Sequence, residues 1–198
     1  MKTLYILNGS PHIHGVSDTL LNSIHEELST LPVTISMQKI REKTVYPCLG
    51  CRKCSPHPHI CTLDIKNDDA RSLLQGIKYA DIVVFCAPIY FYTLPACTIN
   101  LIDRAQCFFE EKKKSISPML STFILLHAAR TRGEELFRGA LLTLKYFFKA
   151  LNREISELCL LRGLDTKDDI LRDDKVMREI HTLCDTIKKN SQLVSTQT

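Results

Sequence analysis

At 198 residues, with 44% hydrophobic and 24% charged residues, the chain has the length and composition of one globular domain with a sizeable core, which excludes a disordered polypeptide. Its formal charge of +4 is scattered, and Lys112–Lys114 is a short basic run of the kind found at solvated helix ends, so nucleic acid is not an expected partner. No apolar stretch reaches the roughly 18 to 20 residues that cross a bilayer, and residues 4–7 are too few for a signal-peptide core, so a cytoplasmic protein without a membrane partner is expected.

Leu4 to Leu7 form a short apolar run closed by Asn8-Gly9-Ser10-Pro11, which predicts a buried strand ending in a turn. Leu20, Leu21, Ile24 and Leu28 repeat at helical spacing, with Ser17 or Asp18 where an N-cap belongs. Val33, Ile35 and Met37 alternate with polar residues, as in a less buried strand near a sheet edge. Residues 41–66 follow neither period, and a loop of that length is generally functional or disordered. Asn67-Asp68-Asp69 then caps a helix carrying Leu73, Leu74 and Ile77.

Asp81 to Ala87 is almost continuously apolar and ends at Pro88, the pattern of a central strand covered on both faces. A helix is expected from about Leu94 to Glu111, a strand at Phe123 to Leu126, and a helix through Leu136, Ala140, Leu144, Phe147 and Leu151. Ile155 to Leu161 supplies a fifth strand, and the last helix opens at Asp173-Asp174 and buries Val176, Met177, Ile180, Leu183 and Ile187. Beyond about Ile187 the chain reads as frayed, which gives one domain over residues 1–190 and a flexible tail at 191–198. Strands alternating with helices imply an α/β fold of three layers, a doubly wound five-stranded parallel sheet, for which the order 2-1-3-4-5 is expected. Ligands of such sheets bind beyond the carboxyl ends of the strands, where the winding reverses, so the loops after the first and third strands meet there.

The first of these loops runs from Asn8 to Thr19, contains Gly9 and Gly15 and the hydroxyls of Ser10, Ser17 and Thr19, and leads into a helix. Free N–H groups at the helix start and the positive end of its dipole suit an anion. The loop lacks the Gly-Lys-Ser/Thr ending of a nucleotide hydrolase and does not spell G-x-G-x-x-G, so a single terminal phosphate such as that of FMN is the better match. The alternative is a helix cap and two glycines that only turn the chain. The second loop, Pro88-Ile89-Tyr90-Phe91-Tyr92-Thr93, sets three aromatics at the edge of a central strand. They suit contact with an isoalloxazine ring, or packing beneath the loop or at a subunit contact.

Five of the nine cysteines, Cys86, Cys97, Cys107, Cys159 and Cys184, lie in apolar segments and read as small buried hydrophobes. The others, Cys48, Cys51, Cys54 and Cys61, are spaced C-x2-C-x2-C-x6-C. Thiolates so close suit a [4Fe-4S] cluster or zinc, or are free thiols, and spacing alone does not choose. His57 and His59, in a stretch that Pro56 and Pro58 hold extended, read as solvated, and His25, His127 and His181 carry no clear signal.

At these loops the sequence resembles the flavodoxin-like NAD(P)H-dependent FMN reductase family, including its iron-sulfur flavoprotein branch. Asn8-Gly9-Ser10-Pro11 with Gly15 to Thr19, the cysteine run with Asp68-Asp69, and Ala80-Asp81 through Pro88-Ile89-Tyr90 to Leu101-Ile102-Asp103-Arg104 carry the likeness, over about residues 1–105. The resemblance implies that Ser10, His12, Ser17, Asp18 and Thr19 hold the FMN phosphate and that Pro88, Ile89, Tyr90, Phe91 and Tyr92 line the ring. It also implies a [4Fe-4S] cluster rather than zinc on the four cysteines. His12 stands where the family usually has arginine, exchanging a permanent charge for one that titrates near neutrality. After the fourth strand the family tends to have glycine, whereas this chain has His127-Ala128-Ala129, the counterpart of a flavin-contacting loop.

The implied function is NAD(P)H-dependent oxidoreduction through FMN toward a quinone, nitro or azo compound, flavin, metal or redox protein. The cofactor carries the hard chemistry, so no general acid or base is named. An electron carrier without NAD(P)H turnover and a flavin-free interaction domain are the competing readings. A homodimer or tetramer is expected, with the helix at 94–111 as a contact.

Overall fold

A computed structural model describes residues 2–56, 60–64, 67–109 and 119–193. The strands are β1 (Lys2–Asn8), β2 (Val33–Lys39), β3 (Ile82–Pro88), β4 (Met119–Ala128) and β5 (Arg153–Arg162). Between them run α1 (Val16–Leu28), a 3-10 turn (Ile40–Glu42), α2 (Ala70–Tyr79), α3 (Ala96–Arg104), α4 (Gln106–Phe109) and α5 (Arg138–Ala150), and α6 (Lys167–Arg172) and α7 (Asp174–Leu193) follow the last strand. All pairings are parallel and the sheet order is β2-β1-β3-β4-β5, so β1 and β3 lie inside and β2 is an edge, as the sequence pattern predicts.

Successive residues of a strand face opposite sides, and the three inner strands use that alternation to bury both. Tyr5, Leu7, Val83, Phe85, Ile124 and Leu126 pack with Leu73 and Ile77 of α2, Leu101 of α3 and Leu144 and Phe148 of α5. Leu4, Ile6, Val84, Cys86, Phe123 and Leu125 pack with Leu20 and Ile24 of α1, Ile170 of α6 and Ile180, Leu183 and Ile187 of α7. At the amino end of the sheet the buried Arg153 ties elements together, donating from Nη1 to the Ile77 and Ala80 carbonyls (3.1 and 2.6 Å), from Nε to Thr122 Oγ1 (2.9 Å) and from Nη2 to the Ser121 carbonyl (3.1 Å). The carboxyl end is left to the loops.

Several sequence expectations are corrected in detail. The predicted helix over 94–111 is two pieces: the Ala105 N–H bonds back only three residues, to the Ile102 carbonyl, and the tightened turn ends α3 before α4 begins. A short helix not anticipated, α6, is signalled by a capping box between Thr166 and Asp169. Met177 is 41% exposed because Val176, Ile180, Leu183 and Ile187 form the buried stripe of α7 and Met177 lies one residue off it. Leu136 and Leu151 are buried but flank α5 rather than belonging to it. Cys97 is only half-buried, whereas Cys86, Cys107, Cys159 and Cys184 are fully buried. The last helix runs past Ile187 to Leu193, held to α1 by Lys188 Nζ donating to Glu27 Oε1 at 2.7 Å. Lys112–Lys114, His57, His59 and residues 194–198 lie outside the described residues.

Candidate functional site

The loop after β1 is shaped by close contacts. The Gly9 N–H donates to the Cys86 carbonyl of β3 at 2.7 Å, and its carbonyl accepts from Thr98 Oγ1 at 2.9 Å. A Cβ at Gly9 would sit 2.5 Å from that same Thr98 oxygen, so a side chain is excluded by the approach of α3. Asn8 Oδ1 accepts from the Ser10 N–H (2.9 Å) and Ser10 Oγ from the His12 N–H (3.2 Å), while His14 takes a left-handed φ of 56° and donates its N–H to Asp18 Oδ2 at 2.7 Å. The chain therefore curls inward upon itself.

The helix opens two or three residues earlier than predicted, with Gly15 as N-cap and no side-chain cap. Ser17 and Asp18, expected as caps, are buried in the first turn instead. Asp18 receives Arg41 Nη2 on both oxygens at 2.9 Å and Asn8 Nδ2 at 2.7 Å. Because the carboxylate is spent on these partners, the N–H groups of Val16, Ser17 and Asp18 head the helix with no partner among the described residues. Thr19 Oγ1 donates to the Gly15 carbonyl at 3.3 Å, and of the three residues with predicted hydroxyl contacts only Ser10 lines the cavity between these loops.

Ser17 Oγ lies 2.7 Å from Nε2 of His127, the penultimate residue of β4. The sequence places His127 in the loop after the fourth strand with no signal as a histidine, but the strand runs two residues further, to Ala128, and His127 belongs to it. Burial lowers its pKa to about 4, so the ring is neutral at physiological pH, and Nδ1 has no partner among the described residues. The His127 carbonyl accepts from the Ile89 N–H at 2.8 Å, so this one residue joins the loops after β1, β3 and β4.

The loop after β3 closes on itself through paired backbone bonds between Tyr90 and Thr93, each 2.9 Å. Phe91 and Tyr92 occupy its two central positions with φ of 48° and 63°, values that Asn-Gly adopts readily and bulky residues do not. Arg130 Nη1 donates to the Tyr92 hydroxyl at 2.9 Å, and the Tyr92 carbonyl comes so near α5 that a Cβ on Gly139 would meet it at 2.6 Å. Phe91 is 99% exposed. Tyr90, 36% exposed, stands edge-on to His12 with ring centroids 6.4 Å apart, and partial burial raises the pKa of its phenol.

These loops enclose a cavity of about 260 Å³ lined by Ser10, His12, Pro88, Ile89, Tyr90, His127 and Ala128, with Ile13, Gly15, Val16, Leu164 and Asp165 among its further walls. Of the predicted residues, Ser17, Asp18 and Thr19 stand behind this lining, and Phe91 and Tyr92 stand outside it. Leu164 and Asp165 come from the turn after β5, which no motif marks. A larger cavity, about 680 Å³, lies between α5 and the edge strand β5, beside Leu141, Lys145, Glu154 and Leu158 and away from the loops that converge at the strand ends.

The cysteine loop is held at its base. Arg104, buried in α3, donates to Asp68 Oδ2 (2.6 Å), Asp64 Oδ1 (2.9 Å) and the Tyr46 carbonyl (3.3 Å), so one guanidinium grips the chain before Cys48 and after Cys61. Asp69 Oδ2 accepts from the Thr44 N–H at 2.8 Å, so the predicted Asn67-Asp68-Asp69 cap fastens this loop besides opening α2. Cys48 and Cys51 are exposed, and Cys54 and Cys61 half-buried. The Lys53 N–H, then Thr62, lowers the pKa of Cys51, whereas burial, reinforced by Cys61, Cys48 and Cys51, raises that of Cys54. No three of these sulfurs fall within 4.8 Å of one another; among the described residues only Glu27, His181 and Asp185 do so, and Lys188 occupies that group at 2.7 Å from Glu27.

A doubly wound parallel sheet in this order, with a backbone-donor loop after its first strand, defines a flavodoxin-like protein. The chain belongs to the NADPH-dependent FMN reductase family, whose sequence profile matches residues 1–140. An iron-sulfur flavoprotein of Methanocaldococcus jannaschii is 26% identical over 106 residues, covering 54% of this chain and 52% of that protein, so the chain spans about half the length of this relative. A second iron-sulfur flavoprotein of the same organism is 23% identical over 142 residues, 72% of this chain and 68% of its own. Among solved structures, an apo NADH:FMN oxidoreductase superposes with a TM-score of 0.64 at 11% identity, covering 94% of this chain and 88% of that one. The FMN complex of an NADH-azoreductase from Bacillus anthracis gives 0.61 at 13%, covering 96% and 99%. At these identities the structural likeness is one of fold.

Proposed function

We propose that the chain is an FMN-dependent NAD(P)H oxidoreductase that passes electrons from nicotinamide to a small-molecule acceptor, a quinone, nitro or azo compound, flavin or metal, or to a redox protein. The observation that carries this reading is the row of N–H groups at Val16, Ser17 and Asp18 without a partner among the described residues, at the start of a helix whose first residue, Val16, lines the cavity together with Ser10. Such a donor set fits one phosphate group and offers nothing to hold magnesium or a second phosphate. When bound, FMN supplies both hydride and single-electron chemistry. Ser10 and the helix N–H groups bind its phosphate, Ile89 and Tyr90 exclude water from one side of the ring, and the neutral His127 holds the three loops in register. Phe91, solvent-exposed on a strained turn, is interface material for a second subunit, which supports a homodimer or tetramer of a single domain over residues 1–190.

Titrating apo-protein into FMN should quench the flavin fluorescence, and NAD(P)H added without air should then bleach the bound flavin. Unquenched FMN at protein excess defeats the assignment. Flavin that binds yet stays oxidised until a separate reductase is added marks an electron carrier.

The carrier reading has its own support in the cysteine loop. The four cysteines stand on a loop clamped at both ends, and the similarity to iron-sulfur flavoproteins favours a [4Fe-4S] cluster over zinc there. Cys48, Cys51, Cys54 and Cys61 would hold such a cluster, which supplies one-electron transfer to a protein partner. Iron and acid-labile sulfide assays on anaerobically purified protein decide its presence.

A further inference from the structure

The stretch from Gly9 to Thr19 contains one carboxylate, Asp18, and neither lysine nor arginine. A carboxylate in the first turn of a helix satisfies the positive end of the dipole by itself and so competes with any anion arriving there. Here that competitor is disarmed from another element. Arg41, in the 3-10 turn after β2, places Nη2 2.9 Å from both Asp18 oxygens, and its Nη1 donates to the Ser10 carbonyl at 3.4 Å. The side chains of Arg41 and Asp18 are each 8% exposed, so water does little to screen either charge.

We propose that Arg41 sets the charge of the ligand this loop accepts: by cancelling Asp18 it permits a dianion at the start of α1, and so selects FMN over riboflavin. The inference rests on the phosphate reading above. Removing Arg41 would leave the Asp18 carboxylate with only two neutral donors, Asn8 Nδ2 and the His14 N–H, so its charge would stand uncompensated in the same helical turn as the incoming phosphate, and like charges there repel strongly. Riboflavin, with the same ring and no phosphate, would not feel that repulsion. Arg41 is therefore a positioning residue that acts through Asp18, and its signature is a change in the ratio of two affinities rather than in either alone.

The test is fluorescence titration of apo-protein with FMN and, separately, with riboflavin, for the unsubstituted chain, Arg41→Met, Asp18→Asn and the double variant. Arg41→Met should weaken FMN roughly 100-fold, through repulsion between the uncompensated carboxylate and the phosphate, while riboflavin changes less than about threefold. Asp18→Asn should keep the preference for FMN, and the double variant should regain it, because neutrality of the turn is restored. Parallel loss of both ligands in Arg41→Met, or a double variant that still rejects FMN, overturns the inference. Should Arg41→Met fail to fold, the double variant decides alone: a retained FMN preference supports the proposal and a lost one refutes it. If the unsubstituted chain itself binds FMN and riboflavin equally, the phosphate reading falls instead.

Discussion

Two loops meet at the carboxyl end of the sheet, and each is secured by an arginine buried against carboxylates, yet they are secured in opposite ways. In the loop after β1 the carboxylate, Asp18, belongs to the loop's own helix and Arg41 reaches it from the next turn, so the whole segment is drawn inward. In the cysteine loop Arg104 holds only the two ends, at Tyr46 and at Asp64 and Asp68, and Cys48 and Cys51 are left exposed. A segment fixed along its length presents backbone N–H groups in a set direction. One clamped at its ends keeps its side chains near one another without fixing their separations, which suits a loop whose geometry is completed by what it binds.

Arg104→Met is the most severe way to break this comparison. It strands the fully buried Asp68 and leaves Asp64 with one cation among the described residues, Arg71 at 3.6 Å, and should cost about 3–5 kcal/mol in urea unfolding, the usual result of orphaning a buried ion pair. Thiol alkylation of Cys54 and Cys61 should accelerate in the same variant. Native-like stability would show that the clamp is dispensable.

Acid sharpens the contrast from the other side. The folded-state pKa of His127 is lowered to about 4 against an unfolded value near 6.5, so between these values the unfolded chain binds the extra proton. The stability that neutral His127 confers is thus complete above about pH 6.5 and is lost as pH falls toward 4, by about 3 kcal/mol in all. Urea midpoints measured down that range should fall less steeply in His127→Gln. An unchanged slope would mean that the ring is solvated and does not join the loops.

The smallest effect is kinetic. Cys51, its thiolate favoured by the Lys53 N–H and by Thr62, should be alkylated by iodoacetamide several-fold faster at neutral pH than Cys54, whose thiol is held protonated by burial. Peptide mapping after partial labelling reads the order directly. Equal labelling would mean that the tip of the loop does not hold this arrangement.

What the sequence determined by itself is the frame: five strands at period two or continuously apolar, helices at period 3.6, and a turn after the first strand rich in backbone donors. Those features are local, since each depends on residues within a few positions of one another, and so they were legible without coordinates. The roles of Arg41, Arg104 and His127 were not, because each joins elements far apart in the chain: Arg41 to Asp18, Arg104 to Asp64 and Asp68, and His127 to Ser17 across 110 positions. Asp18 illustrates the difference. Alone it reads as a helix cap, and only the packing of the turn after β2 against α1 makes it a buried partner for Arg41. Likewise the sequence leaves Phe91 and Tyr92 to contact a ring, pack beneath the loop or meet a second subunit, and only the two-residue turn that the tertiary structure imposes there leaves Tyr90 as the aromatic of the lining, with Phe91 in solvent and Tyr92 against Arg130. Long-range contacts select among the options that local sequence leaves open, because burying a charge or straining a turn is tolerated only where distant partners compensate it.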